Sequence, residues 1–119
     1  MRKFLKSFTY AFKGIGYTLR TQQSFQIECA VAIIVVLLGY GLGLSRQEWL
    51  WIALSISLVL VLELLNTAIE VLVDLVSPQY HPQAGIVKDV ASGAVLIASL
   101  FSLVTGLCIF VPKLIGYVA

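Results

Sequence analysis

LELLNTAIEVLVD, running from Leu62 to Asp74, sets Glu63, Asn66, Glu70 and Asp74 inside an otherwise oily segment. Hydrocarbon makes unneeded carboxylates expensive, so ionisable groups in such a segment are functional by default. At about 100° per residue the four polar groups fall within an arc of about 80°. A helix therefore presents them as one polar stripe and turns Leu64, Leu65, Ile69, Val71 and Leu72 elsewhere.

The chain around this stripe has 119 residues, 60% hydrophobic and 12% charged, with a mean hydropathy of +0.98. That is too apolar for an ordinary soluble domain and fits one small integral membrane unit spanning residues 1–119. The net charge of +2 is unremarkable, but Arg2, Lys3, Lys6, Lys13 and Arg20 put five of the eight cationic residues before the first apolar segment. Lysine and arginine beside membrane spans mark the cytoplasmic side, so the N-terminus is expected there. The first twenty residues are interrupted by charge and resemble no cleavable signal peptide, so the whole chain is expected in the mature protein. Cys29 and Cys108 lie near opposite ends of the expected spans and read as small packing residues. Nucleic acid is not an expected partner.

Residues 1–20 place Phe4, Phe8, Ala11 and Ile15 at helical spacing with lysines largely on other faces, the pattern of an amphipathic helix lying on the inner leaflet. Three membrane helices are expected to follow. The first covers residues 25–44, with Gln26 and Glu28 at the cytoplasmic boundary. Leu44 to Glu48 reads as a polar turn, and Trp49 and Trp51 as aromatics of the far interface. The second, residues 49–76, is about 42 Å long as a helix and exceeds the roughly 30 Å hydrocarbon core. Counted inward from Leu50, Glu63 falls within the hydrocarbon, Glu70 near the inner interface and Asp74 beyond it. Ser77 to Gly85, with Pro78 and Pro82, reads as a cytoplasmic loop. The third helix, residues 90–111, is expected to stop at Pro112 and Lys113, leaving the C-terminus outside. Within it Ala94, Ala98, Ser102 and Gly106 recur every fourth residue as a packing face. Three spans with one polar stripe cannot readily enclose a nucleotide, so a homo-oligomer is expected to complete each site.

The cytoplasmic side gathers Glu70, Asp74, Tyr80, His81, Lys88 and Asp89, with Lys6, Lys13 and Tyr10 available from the surface helix. Acids with lysines suit metal and phosphate. Mg²⁺ is commonly held by one or two carboxylates together with substrate phosphates, and Glu70 is the best ligand candidate. Lys88 could neutralise phosphate charge. Glu63, sunk to where a lipid headgroup hydroxyl could reach, is the candidate general base, and Asn66, one turn along, could fix it or the acceptor. No GxxxxGK[ST] is present, and the short GIG and GLG motifs are too weak to count as phosphate loops. Duller readings stand beside these. The stripe could be interhelical glue, Lys88 and Asp89 boundary anchors, His81 a loop residue, and Tyr80 an interface anchor.

At these residues the chain resembles the prokaryotic diacylglycerol kinase and undecaprenol kinase family of small three-span membrane enzymes. The resemblance runs nearly end to end. It is most specific in ELLNTAIE (Glu63 to Glu70) with Asp74 following, in SPQYHP (Ser77 to Pro82) and in KDVASGAVLIA (Lys88 to Ala98), and weaker in AFKGIGY from Ala11. It implies an all-α homotrimer in the bacterial plasma membrane, with sites between subunits at the cytoplasmic face. The implied reaction moves the γ-phosphate of Mg·ATP to the hydroxyl of a lipid alcohol. Carried over by position, Glu63 is the catalytic base and Glu70 a metal ligand. Tyr10, Gln79, Tyr80, His81, Lys88 and Asp89 are nucleotide contacts, and Asn66 and Ser92 border the lipid headgroup. One departure stands out: where many members carry a metal-binding glutamate in a segment like ERNFR, this chain reads QQSFQ, with Gln22 in the glutamate's place. Gln22 could coordinate through its amide oxygen, or Glu28 could help. The ELLNTAIE motif and the VPKL ending point to undecaprenol as acceptor, with diacylglycerol the alternative. A non-enzymatic transporter or structural membrane protein is the alternative from another class. Against it, no internal repeat is visible and the acids grade toward one face.

Overall fold

The computed structural model describes residues 1–118, which form four helices: α1 (Arg2–Thr21), α2 (Gln23–Leu42), α3 (Arg46–Val76) and α4 (Pro82–Val118). Helices α2, α3 and α4 are each long and apolar enough to cross a membrane. The molecule is a slab of 57 × 42 × 21 Å, only about two helix diameters thick. Each span therefore keeps one side uncovered, and apolar residues such as Ile33, Leu37, Leu103 and Leu107 stand exposed on it.

Local chemistry sets the helix ends. Gln22 adopts an extended conformation that separates α1 from α2. Gly43 ends α2 at φ 67°, a left-handed geometry that favours glycine, and its N–H donates to Gly39 O at 3.0 Å. Helix α3 starts at Arg46 instead of Trp49, because Ser45 and Glu48 form a reciprocal capping box. The expected polar turn at Leu44–Glu48 thus shrinks to 43–45. The expected loop from Ser77 to Gly85 is likewise shorter and covers 77–81. Proline is well suited to the first turn, where its missing N–H would find no intrahelical partner, so Pro82 opens α4 instead of blocking it. Helix α4 consequently begins about two turns before the expected start at residue 90, and Lys88 and Asp89 are helical. Pro112 does not stop α4, which continues to Val118. Lys113, just beyond the proline, reaches Glu48 of α3 at 3.2 Å and ties this last stretch to the neighbouring helix.

Helices α3 and α4 run antiparallel and make the principal interface. α3 buries Ile52, Ser55, Val59, Glu63 and Thr67, and α4 buries Ala91, Ala98, Thr105 and Ile109. The small-residue face expected on α4 is only partly used: Ala98 is buried, Ser102 and Gly106 are half-buried, and Ala94 is exposed. The α4 surface against α3 follows a seven-residue spacing through Ala91, Ala98 and Thr105, as near-parallel helix packing requires. An apolar cluster of Leu44, Ile52, Ile109 and Phe110, flanked by Val35 and Trp49, closes the end of the molecule at the α2–α3 turn.

Gly39 lets this end close. A Cβ there would meet the Trp49 ring at 2.7 Å and Leu44 Cδ1 at 2.9 Å. We expect Gly39→Ala to destabilise the fold by about 1–3 kcal/mol through overpacking. Unfolding in mixed micelles checks this, and an unchanged midpoint would show that Trp49 moves aside freely.

Candidate active site

The stripe on α3 is built as the helical period dictates, and burial grades along it. Glu63 is only 5% exposed, Asn66 and Glu70 are half-buried, and Asp74 lies in the open at the loop end. Thr67, between Glu63 and Glu70 on the buried side, is 3% exposed and donates its Oγ1 proton to the Glu63 carbonyl at 2.9 Å. Asn66 Nδ2 donates to Glu70 Oε1 at 3.1 Å, while Asn66 Oδ1 is buried without a partner. A buried acceptor left unpaired costs about 1–3 kcal/mol, so this oxygen is poised for a donor.

Two further elements bring charge to the stripe. Glu28 of α2 and Glu70 both lie within electrostatic reach of the Glu63 carboxylate. Three carboxylates thus stand on one side of the α2–α3 contact, a concentration of negative charge that suits a cation. Lys88 of α4 crosses to Asp74 Oδ1 at 2.7 Å, which holds its ammonium at the outer end of the stripe. Among the described residues, no three of His, Cys, Asp and Glu converge closely enough to hold a metal ion. One carboxylate such as Glu70 working with phosphate oxygens, the usual arrangement for magnesium, fits this donor set better than an all-protein cage.

Other candidate residues lie apart from the stripe. Gln22 is half-buried at the α1–α2 break, in the N-cap position of α2 but with no capping bond from its side chain. Tyr10 is exposed on α1, with Lys13 Nζ 5.9 Å from its ring centre. Tyr80 is 90% exposed. The Gln79 carbonyl accepts from Ser77 Oγ at 3.1 Å. His81 Nδ1 accepts the Gln83 N–H at 3.1 Å, so His81 caps α4. Asp89 and Ser92 are exposed, and Asp89 is turned about 100° from Lys88 around α4. A single chain therefore gathers Glu28, Glu63, Asn66, Glu70, Asp74 and Lys88 and leaves Tyr10, Tyr80, Asp89 and Ser92 outward. Thr67 was overlooked in the sequence, although its place four residues after Glu63 is the signal that would have found it.

Beside the stripe, an apolar groove of about 750 Å³ lies between α1 and α3, bounded by Gly14, Ile15 and Thr18 on one side and Leu64, Ala68 and Leu72 on the other. It borders the polar face without including it.

The sequence pattern of the prokaryotic diacylglycerol kinases matches residues 9–110, most of the chain and every candidate residue placed above. The chain belongs to that family. It is 46% identical over 114 residues to the undecaprenol kinase of Bacillus subtilis, covering 96% of this chain and 93% of that protein. It is 41% identical over 113 residues to the diacylglycerol kinase of Synechocystis, covering 94% of this chain and 65% of that longer protein. With the diacylglycerol kinase of Escherichia coli K12 it shares 46% identity over 43 residues, 36% of this chain. Membership in the prokaryotic diacylglycerol kinases makes the chain a multi-pass membrane phosphotransferase that acts on an alcohol group.

Proposed function

We propose that this lipid kinase transfers the γ-phosphate of ATP to the hydroxyl of undecaprenol at the cytoplasmic face of the bacterial plasma membrane. The observation that carries the chemistry is Glu63, a buried carboxylate one helical turn from an unpaired Asn66 oxygen on a stripe that opens toward one end. The acceptor hydroxyl donates its proton to Glu63 and attacks the γ-phosphorus in line, and ADP leaves with the bridging oxygen. Asn66 is fixed through Nδ2 on Glu70 and lies one turn from Glu63, between the phosphate side of the site and the lipid side. Lys88, steadied by Asp74, meets phosphate charge at the outer end. Magnesium held by Glu70 with the phosphates, with Gln22 or Glu28 as further donors, would neutralise charge that develops in transfer. No covalent intermediate is needed, because positioning and electrostatics suffice.

The five N-terminal cationic residues support a cytoplasmic N-terminus, with the C-terminus outside. The outward positions of Tyr10, Asp89 and Ser92 support a homotrimer in which neighbouring chains finish each site, with Tyr10, Gln79, Tyr80, His81 and Asp89 as nucleotide contacts and Ser92 near the headgroup. Identity of 46% to the undecaprenol kinase, against 41% to the Synechocystis diacylglycerol kinase over nearly the same stretch of this chain, supports the polyprenol.

The test offers undecaprenol and diacylglycerol separately with Mg²⁺ and γ-labelled ATP and follows label into the organic phase. We expect label in undecaprenol at a rate at least tenfold above diacylglycerol. The reverse ratio would make the chain a diacylglycerol kinase that yields phosphatidic acid.

A further inference from the structure

We propose that Gln26 is a positioning residue, a latch that fixes the angle of α1 against the membrane helices and so sets nucleotide affinity. The proposal builds on the kinase reading and adds the control of α1. The last carbonyls of any helix lack intrahelical partners. At the end of α1 the chain turns through the extended Gln22, and the side chain of Gln26, one turn into α2, reaches back to donate Nε2–H to the Leu19 carbonyl at 2.8 Å. The contact crosses the break and joins the two helices by side chain. The backbone bonds beside it, Gln22 N–H to Thr18 O at 2.9 Å and Gln26 N–H to Gln22 O at 3.2 Å, each continue only one helix to the break.

Elsewhere α1 is lightly held. It buries Thr18 alone, and an apolar groove separates its middle from α3. The junction angle therefore decides where the rest of α1 lies. From Thr21 to Tyr10 the helix runs about 16 Å, so a swing of about 10° displaces Tyr10 by about 3 Å, the length of a hydrogen bond. Glu63 and Asn66 sit on α3 and do not move with α1. Loss of the latch should consequently weaken nucleotide binding and spare the chemical step.

Gln26→Met keeps length and removes the donor, Gln26→Glu replaces the donor with an acceptor, and Gln26→Lys restores a donor. Each is made in the full chain with Cys29→Ala and Cys108→Ala, and spin labels at Phe12→Cys and Val76→Cys report the α1–α3 distance at high dilution with unlabelled chain. A second set without labels gives kinetics. A net hydrogen bond of ordinary strength corresponds to about a three- to tenfold effect. We expect Gln26→Met and Gln26→Glu to broaden the distance distribution and raise KM for ATP by about that factor, with kcat within about twofold, and Gln26→Lys to restore both. An unchanged distance distribution in both donor-free variants would overturn the latch, whatever the activity. A fall in kcat at constant KM would overturn its role in nucleotide affinity. If Gln26→Met fails to assemble, Gln26→Glu carries the same comparison. The distance needs no turnover, so failure of the latch and failure of the kinase reading are told apart.

Discussion

Replacing Glu63 with glutamine is expected to lower kcat by about 10²–10⁴-fold, the usual contribution of general-base catalysis, while the protein still assembles. The substitution preserves volume at a position only 5% exposed and removes the group proposed to take the acceptor's proton. It keeps the shape and polarity of the side chain, so the fold is expected to hold. Lipid phosphorylation rates, with size-exclusion profiles as the control for assembly, check this. Robust turnover in Glu63→Gln would remove Glu63 from the chemistry and return the stripe to a packing role.

The second large effect is expected at Glu70. Glu70→Gln keeps an oxygen that can accept from Asn66 Nδ2 but abolishes the charge proposed to draw magnesium to the outer part of the stripe. Activity should fall by at least about a hundredfold at low magnesium and recover in part as the ion is raised, because phosphate oxygens still supply ligands. Titration of the rate with Mg²⁺ gives the test, and a curve that coincides with the parent chain's would mean that Glu70 holds no metal. The departure at position 22 makes a companion measurement informative. Gln22→Glu should lower the magnesium concentration needed for half-maximal rate if Gln22 lies at the metal, and should leave it unchanged if Glu28 serves there instead.

Much of the architecture could be read from residues in order, for identifiable physical reasons. The stripe on α3 depends only on the helical period and on the cost of charge in hydrocarbon, so its face was legible from LELLNTAIEVLVD alone. Helix ends were less so, because two local rules compete at each. Ser45 and Glu48 spell a capping box that moves the start of α3 back to Arg46, but the same residues also read as a polar turn. Pro82 breaks a helix when interior and begins one when first, and only the packed structure says which. Pro112 is interior and tolerated, with Lys113 anchored on Glu48 across the interface. Contacts across a break were hidden altogether. Gln26 on Leu19 depends on the angle between α1 and α2, which no spacing rule specifies, and the direction of Asp89 depends on which face α4 turns to α3.

The measurement closest to the central claim is ADP release by the purified, assembled protein with Mg·ATP in one detergent, with and without undecaprenol. Direct transfer to a lipid hydroxyl predicts that ADP appears only when the alcohol is present, one molecule for each lipid phosphate formed. ADP release that ignores the alcohol, or no release under either condition, would contradict it.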